Sequence, residues 1–93
     1  MLNLLGNADT GVTSNTFTFT TNDIFIYFSG DFDGATCAIQ FKREDNTWVT
    51  LADGLITEPS EKVVLLFKGA ELRLVTSGGT NPSINAGVEP RVL

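Results

Sequence analysis

Two neighbouring stretches decide the fold of this chain: Thr16-Phe17-Thr18-Phe19-Thr20 and Ile24-Phe25-Ile26-Tyr27-Phe28. The first alternates polar and apolar residues with a period of two, which places both phenylalanines on one face of a β-strand. The second is apolar at every position, which predicts a central strand covered on both faces. Amphipathic periodicity of helical length is absent from the sequence, which therefore predicts an all-β protein.

Turn residues divide the rest of the chain into short segments. Gly30 and Gly34 bracket the polar turn Asp31-Phe32-Asp33, and Glu44-Asp45-Asn46 forms the tip of a hairpin. Asp53-Gly54 predicts a further turn between two strands.

The segments between these turns are predicted to be strands. Because proline cannot donate to a β-ladder, Pro90 makes 91–93 an edge piece or a tail. About seven short strands at a spacing of roughly 8–12 residues are typical of a single small antiparallel β-sandwich or barrel. After the two opening stretches, the predicted strands are 36–42, 47–51, 62–67, 71–76 and 83–88.

A chain of 93 residues is long enough for one domain, here 1–93. The segment 7–15 is polar and rich in glycine, threonine and serine, so it is predicted to be an ordered loop or a mobile arm. In the second case 1–15 forms an extended N-terminal arm. The predicted core consists of Phe17, Phe19, Ile26, Phe28, Ile39, Phe41, Leu65, Phe67, Leu72 and Leu74.

Composition excludes several classes of partner. The net charge is −5, and only Lys42 and Arg43 among the six basic residues are adjacent, so we expect no nucleic-acid partner. No apolar run approaches the roughly 20 residues of a membrane span, and 1–6 lacks the charged start of a signal peptide. The single cysteine excludes an internal disulfide, which fits synthesis in a reducing cytoplasm.

The residue inventory also argues against catalysis. Histidine is absent, which removes the commonest general base and metal ligand. Cys37 lies in the middle of a predicted strand and is expected to be a small buried apolar residue. Asp31 and Asp33 resemble a fragment of a calcium loop, but the further acidic ligands are missing, so a turn is the better interpretation. We therefore expect no enzyme, no catalytic or metal site and no cofactor.

Two aromatic residues, Trp48 and Tyr27, could face solvent. An exposed tryptophan or tyrosine on a flat sheet is what a carbohydrate-binding module uses to stack sugars. The alternative is that Trp48 packs across the hairpin against Phe41 or Ile39, which we favour at this stage.

The segment 28–41, with its turn Gly30-Asp31-Phe32-Asp33-Gly34-Ala35-Thr36, leads into Asn46-Thr47-Trp48-Val49-Thr50-Leu51. This pattern resembles small virion structural proteins of tailed bacteriophages, and the likeness spans roughly residues 24–88. The resemblance implies a capsid decoration (cement) protein that binds and stabilises the capsid surface, or a tail or fibre component. It also implies capsid or other virion proteins as partners, self-association with a trimer favoured, and a location in the virion after assembly in the host cytoplasm.

Partner contacts are expected from 1–15 and from the 77–82 loop, because both are irregular and protrude. A carbohydrate- or receptor-binding module is an alternative, which requires Trp48 or Tyr27 to be exposed beside Asn, Asp or Gln side chains. A small enzyme is a third alternative, which requires a cleft with two perturbed carboxylates. The candidate contact residues are Leu2, Leu4, Leu5, Trp48, Asn81, Pro82 and Arg91.

Overall fold

The computed structural model describes residues 2–90, with the side chain of Pro90 left out. This part of the chain contains eight strands and no helix, which confirms the all-β prediction. The strands are β1 (Leu2–Ala8), β2 (Phe17–Thr18), β3 (Asp23–Asp31), β4 (Ala35–Lys42), β5 (Trp48–Ile56), β6 (Ser60–Leu65), β7 (Glu71–Gly78) and β8 (Ser83–Pro90).

The strands form two four-stranded antiparallel sheets, in the orders β1-β8-β3-β6 and β2-β7-β4-β5. Within residues 2–90, only β4 and β5 pair as neighbours along the chain, whereas every other pairing joins strands that are not consecutive. The two sheets pack face to face as a small β-sandwich. The sandwich alternative of the sequence prediction is therefore the one that is observed.

The core lies between the sheets and is built from alternate residues of the inner strands. In β3, for example, Ile24, Ile26 and Phe28 are buried while Phe25 and Tyr27 are half-buried on the opposite face. The expected central position of β3 is confirmed, because it lies between β8 and β6. The expected cover on both faces is not observed within residues 2–90, where the second sheet packs against one face of β3.

Six of the ten predicted core residues are buried, and the other four are not. Phe17 is half-buried and packs against the core edge-to-face with Phe19, their ring centroids 5.7 Å apart. Phe41 is also half-buried. The buried six are Phe19, Ile26, Phe28, Ile39, Leu72 and Leu74.

Leu65 and Phe67 contradict the core prediction, since 69% and 65% of their surfaces are exposed. The register explains Leu65: Val64 pairs with the buried Ile24, so Val64 is the residue of β6 that enters the core. Successive side chains of a strand point to opposite faces, so Leu65 points outward. Phe67 lies beyond the end of β6, in the connection to β7.

The N-terminal segment belongs to the sandwich, which corrects the expectation of an extended arm over 1–15, whereas 9–16 is an ordered loop between β1 and β2. Leu2–Ala8 forms an edge strand on β8, and the segment that follows is joined to β7 by hydrogen bonds from Gly11 and Ser14. Leu5 and Ala8 of this strand are buried in the core. The polar composition of 7–15 favours a loop, and the short apolar start of the chain gives little indication of the strand Leu2–Ala8.

Asp53-Gly54 is not a turn, because β5 continues through it. The ladder with β4 shifts register between the pairs Ala38–Leu55 and Gln40–Thr50, and the extra residues form a β-bulge. Asp53 has a φ of 57°, a left-handed conformation that aspartate tolerates better than most residues. The same residue types that favour turns thus mark a bulge here.

Candidate binding surfaces

The predicted contact residues are spread over the molecule rather than brought together. Leu2 is exposed at the start of β1, Leu4 is half-buried, and Asn81 is exposed in the loop before β8. Leu5 and Pro82 are buried inside the chain's own fold, which removes them as surface contacts.

Arg91, the last of the predicted contacts, lies outside the described residues. Trp48 lies on the outer face of the second sheet, whereas β1 belongs to the first sheet. The exposed members of the predicted set, among them Leu2 and Asn81, are therefore dispersed over the surface.

Trp48 packs against an arginine rather than against Phe41 or Ile39. It pairs with Lys42 on the outer side of β5, and the guanidinium carbon of Arg73 lies 4.3 Å from its ring centroid. The Arg73 Nε–H donates to Oε1 of Gln40 at 2.8 Å, which holds the guanidinium over the ring. This cation–π contact covers one face of the half-buried indole.

The aspartates near Gly34 stabilise the turn between β3 and β4. The Asp31 Oδ1 accepts from the backbone N–H of Asp33 at 3.0 Å, and the Asp33 Oδ2 accepts from the N–H of Asn81 at 2.9 Å. Both carboxylates thus make backbone hydrogen bonds, as the turn interpretation predicted. Within residues 2–90, no group of three or more His, Cys, Asp and Glu side chains is placed to hold a metal ion.

Cys37 is fully buried between the sheets on β4. Burial disfavours the thiolate and raises the pKa of Cys37 to about 12. The thiol therefore stays protonated at neutral pH and fills space as an apolar side chain, as expected from its place in the sequence.

One edge of the sandwich exposes large apolar side chains. Val63, Leu65 and Phe67 occupy alternate positions of the chain and are 39%, 69% and 65% exposed. We call these three residues the edge strip. Beside it, the free edges of β5 and β6 enclose a groove of about 300 Å³ whose lining includes Leu51, Lys62, Val63 and Leu65.

A second concavity, of about 350 Å³, lies on the outer face of the first sheet. It opens where Gly87 of β8 lies between Tyr27 of β3 and Asn3 of β1. We call it the Tyr27 groove; the lining residues that matter below are Asn3, Gly6, Tyr27, Ser29, Asn85 and Gly87.

Tyr27 is held in place from several sides. Its ring lies 5.9 Å from that of Phe25, and its hydroxyl hydrogen-bonds to the carboxylate of Glu89. Burial, the charge of Glu89, this hydrogen bond and the charge of Glu61 raise the pKa of Tyr27. The phenol is therefore neutral and keeps its proton as a donor over the physiological range.

The sequence predicted only part of this groove. Tyr27 was recognised as an aromatic residue that could face solvent beside amide side chains. Asn3, Asn85 and Gly87 were missed, because only the β1-β8-β3 register brings them beside Tyr27. A glycine inside a strand is the one available signal, since it marks a place where another group can approach the backbone.

The part of the chain that the structure describes has no helix able to cross a membrane. The chain matches no protein-family model, no curated protein and no solved structure significantly.

Proposed function

We propose that this chain is a non-enzymatic structural subunit of a virion, a capsid decoration protein that associates with copies of itself and with the capsid surface. The edge strip carries the proposal: Val63, Leu65 and Phe67 expose large apolar side chains at one free edge of the sandwich. Several large apolar side chains exposed near one edge, rather than singly over the surface, are typical of a protein–protein contact. In this proposal the strip is covered by a neighbouring copy of the chain.

The four edge strands differ in how they are protected from pairing with another chain. β1 carries two register shifts, β2 has two residues, and β5 carries the bulge at Asp53. β6 pairs with β3 in continuous register from Ser60 to Leu65 and has no bulge. Bulges and short edge strands discourage pairing with any foreign edge, whereas β6 has neither and is protected by its inward-turned Lys62. β6 is therefore the edge best suited to a neighbour that can neutralise this charge.

Lys62 sets the chemistry of that contact. It pairs with the buried Ile26, so its side chain turns toward the inner side of the sheet, and the residue is part of the lining of the edge groove. An inward-turned lysine discourages indiscriminate extension of the sheet. A copy of this chain, whose net charge is −5, can offer a carboxylate to it.

The proposed location in the virion rests on the resemblance to virion proteins of tailed phages. The acidic net charge suits the outside of a particle better than its DNA-facing inside. A small sandwich also gains stability when association buries surface that the monomer leaves exposed. Its favoured assembly in this proposal is a trimer, with capsid proteins as the second partner.

Sedimentation velocity over a wide range of protein concentration tests the self-association. We expect Leu65→Thr to weaken association about 10- to 100-fold, because each copy loses the burial of a leucine side chain worth about 1.5–3 kcal/mol. Leu55→Thr is the matched control, since Leu55 is 63% exposed on the outer face of the other sheet.

Co-sedimentation with purified phage capsids that lack the protein tests the particle contact. Binding of the wild type, with Leu65→Thr impaired and Leu55→Thr unaffected, is the expected result. A wild type that is monomeric at every concentration and absent from the capsid fraction would contradict the proposal.

A further inference from the structure

The Tyr27 groove lies apart from the edge strip and has a different chemistry. Its lining combines the aromatic ring of Tyr27 with polar side chains and with the buried backbone of Gly87. Adjacent strands lie about 4.8 Å apart, so Tyr27 and Asn3, which flank Gly87 two strand spacings apart, are separated by about 10 Å. The width suits one ring-sized molecule, and 350 Å³ is within the range of small-molecule sites.

The polar groups of the groove are oriented by hydrogen bonds to their neighbours. The Asn85 Oδ1 accepts from the backbone N–H of Asn7 at 2.9 Å, which fixes which way the amide points. The Asn7 Oδ1 in turn accepts from the hydroxyl of Ser83 at 3.2 Å. The amide of Asn85 is therefore oriented before any ligand arrives.

The charge around the groove selects the class of ligand. No basic side chain is present among the described residues that line it, and the carboxylates of Glu61 and Glu89 flank Tyr27. This arrangement repels anions. It offers an aromatic face together with amide and hydroxyl groups, which complement the C–H face and the hydroxyl groups of a neutral sugar.

We propose that the Tyr27 groove binds one neutral pyranose unit of a glycan, which packs against the ring of Tyr27 and hydrogen-bonds to Asn3, Ser29 and Asn85. This site goes beyond the structural role proposed above, because it would let a particle-bound copy hold a saccharide. It lies toward β1 and β8, whereas the edge strip lies on β6 and beyond it.

NMR titration of the intact ¹⁵N-labelled chain tests the site, with methyl glycosides of glucose, galactose, mannose and N-acetylglucosamine as neutral probes. N-acetylneuraminic acid is the anionic probe. We expect saturable amide shifts at the groove for at least one neutral glycoside, with a dissociation constant on the order of 1 mM. The anionic sugar should give no saturable shift.

Three variants locate the contact. Tyr27→Leu keeps an apolar side chain but loses the flat ring, and we expect binding about tenfold weaker. Asn3→Ala changes an exposed edge residue that leaves the core intact, and we expect a loss of about 3- to 10-fold. Trp48→Leu is the aromatic control on the opposite sheet and should leave the affinity unchanged.

Absence of saturable shifts with every neutral glycoside would overturn the proposal. So would shifts centred on Trp48, or equal affinity in Asn3→Ala and the wild type. Saturable binding of N-acetylneuraminic acid at the groove would overturn the neutral-sugar assignment. None of these results depends on self-association or on capsid binding, so failure of this site and failure of the proposed function are distinguishable.

Discussion

Thr76 carries a hydroxyl group inside a core that is otherwise apolar. Its Oγ1–H donates to the backbone carbonyl of Asp9 at 2.6 Å, and its Oγ1 accepts from the backbone N–H of Val12 at 2.9 Å. Its backbone N–H also donates to the carbonyl of Val12. The side chain of Thr76 thus joins the connection between β1 and β2 to β7.

Replacing Thr76 by valine keeps the shape and removes the hydroxyl. We expect Thr76→Val to lower the free energy of unfolding by about 1–3 kcal/mol, because two partly buried backbone groups lose their partner. Urea denaturation measures the change. Thr50→Val, the same substitution on the exposed outer face of β5, should stay within about 0.5 kcal/mol of the wild type. Equal stability of the two variants would contradict the role of Thr76.

Cys37 makes stability depend on pH in the alkaline range. The thiol has an ordinary pKa of 9.0, which burial raises to about 12 in the folded chain. Above pH 9 the unfolded chain therefore binds fewer protons at this site than the folded chain, and stability falls as the pH rises. The slope approaches about 1.4 kcal/mol per pH unit while only the unfolded thiol is ionised.

Comparison with Cys37→Ala isolates this group from the lysines and the tyrosine that titrate in the same range. We expect the wild type to lose about 1 kcal/mol more than the variant between about pH 8 and pH 10, measured by guanidinium unfolding at each pH. Parallel pH profiles for the two proteins would contradict the assignment.

The geometry of the β5 bulge requires a residue without a Cβ atom at position 54, which Gly54 provides. A Cβ atom on Gly54 would lie 2.9 Å from the backbone oxygen of Leu51 and 3.1 Å from that of Ile39. Backbone atoms cannot yield as the end of a side chain can, so the bulge requires glycine there.

We expect Gly54→Ala to destabilise the fold by about 1–3 kcal/mol, the usual cost of forcing an extra methyl group into a packed site. Gly6→Ala is the matched control, because nothing lies within 4 Å of a Cβ atom on Gly6. Differential scanning calorimetry compares the two. A melting temperature of Gly54→Ala equal to that of Gly6→Ala would show that the bulge can rearrange.

Where polar and apolar residues alternate along a strand, the sequence predicts which side chains face the core. Where nearly every residue is apolar, the sequence does not predict which face is the inner one. Ile39, Leu72 and Leu74 lie in alternating stretches and are buried as expected. The run Lys62-Val63-Val64-Leu65-Leu66-Phe67 is apolar at almost every position, so either face could have been the inner one. The pairing of Val64 with Ile24 determines which face of this run enters the core, and these two residues are far apart in the sequence.

The binding surfaces depend on the same long-range register. Tyr27 could be singled out from its residue type, but its neighbours Asn3 and Gly87 come from the two ends of the chain. Leu65 and Phe67 of the edge strip are predicted to be core, since residue type alone cannot distinguish a leucine that faces the core from one that faces outward. Local sequence thus identifies the chemistry of a residue more readily than the face on which it is displayed.

At the scale of the whole molecule, the topology should make folding slow. Strands from the two ends of the chain, β1 and β8, are hydrogen-bonded to each other, and β3 pairs with both β6 and β8. Such pairings require closure of long loops before any contact compensates for the lost chain entropy. We expect refolding with a time constant on the order of 10 ms to 1 s, as for other small β-sandwiches.

Stopped-flow fluorescence of Trp48, the single tryptophan, can follow this reaction because the indole stacks on Arg73 only in the folded chain. The β4–β5 hairpin is the only pairing of consecutive strands within residues 2–90, so we expect it to form first. Val49→Ala, opposite Phe41 in this hairpin, should then mainly slow refolding, whereas Val88→Ala in β8 should mainly speed unfolding. Each variant must lose more than about 0.6 kcal/mol of stability for the comparison to be meaningful. A Val88→Ala variant that slows refolding at least as much as Val49→Ala would place the β3–β8 pairing, rather than the hairpin, in the folding transition state.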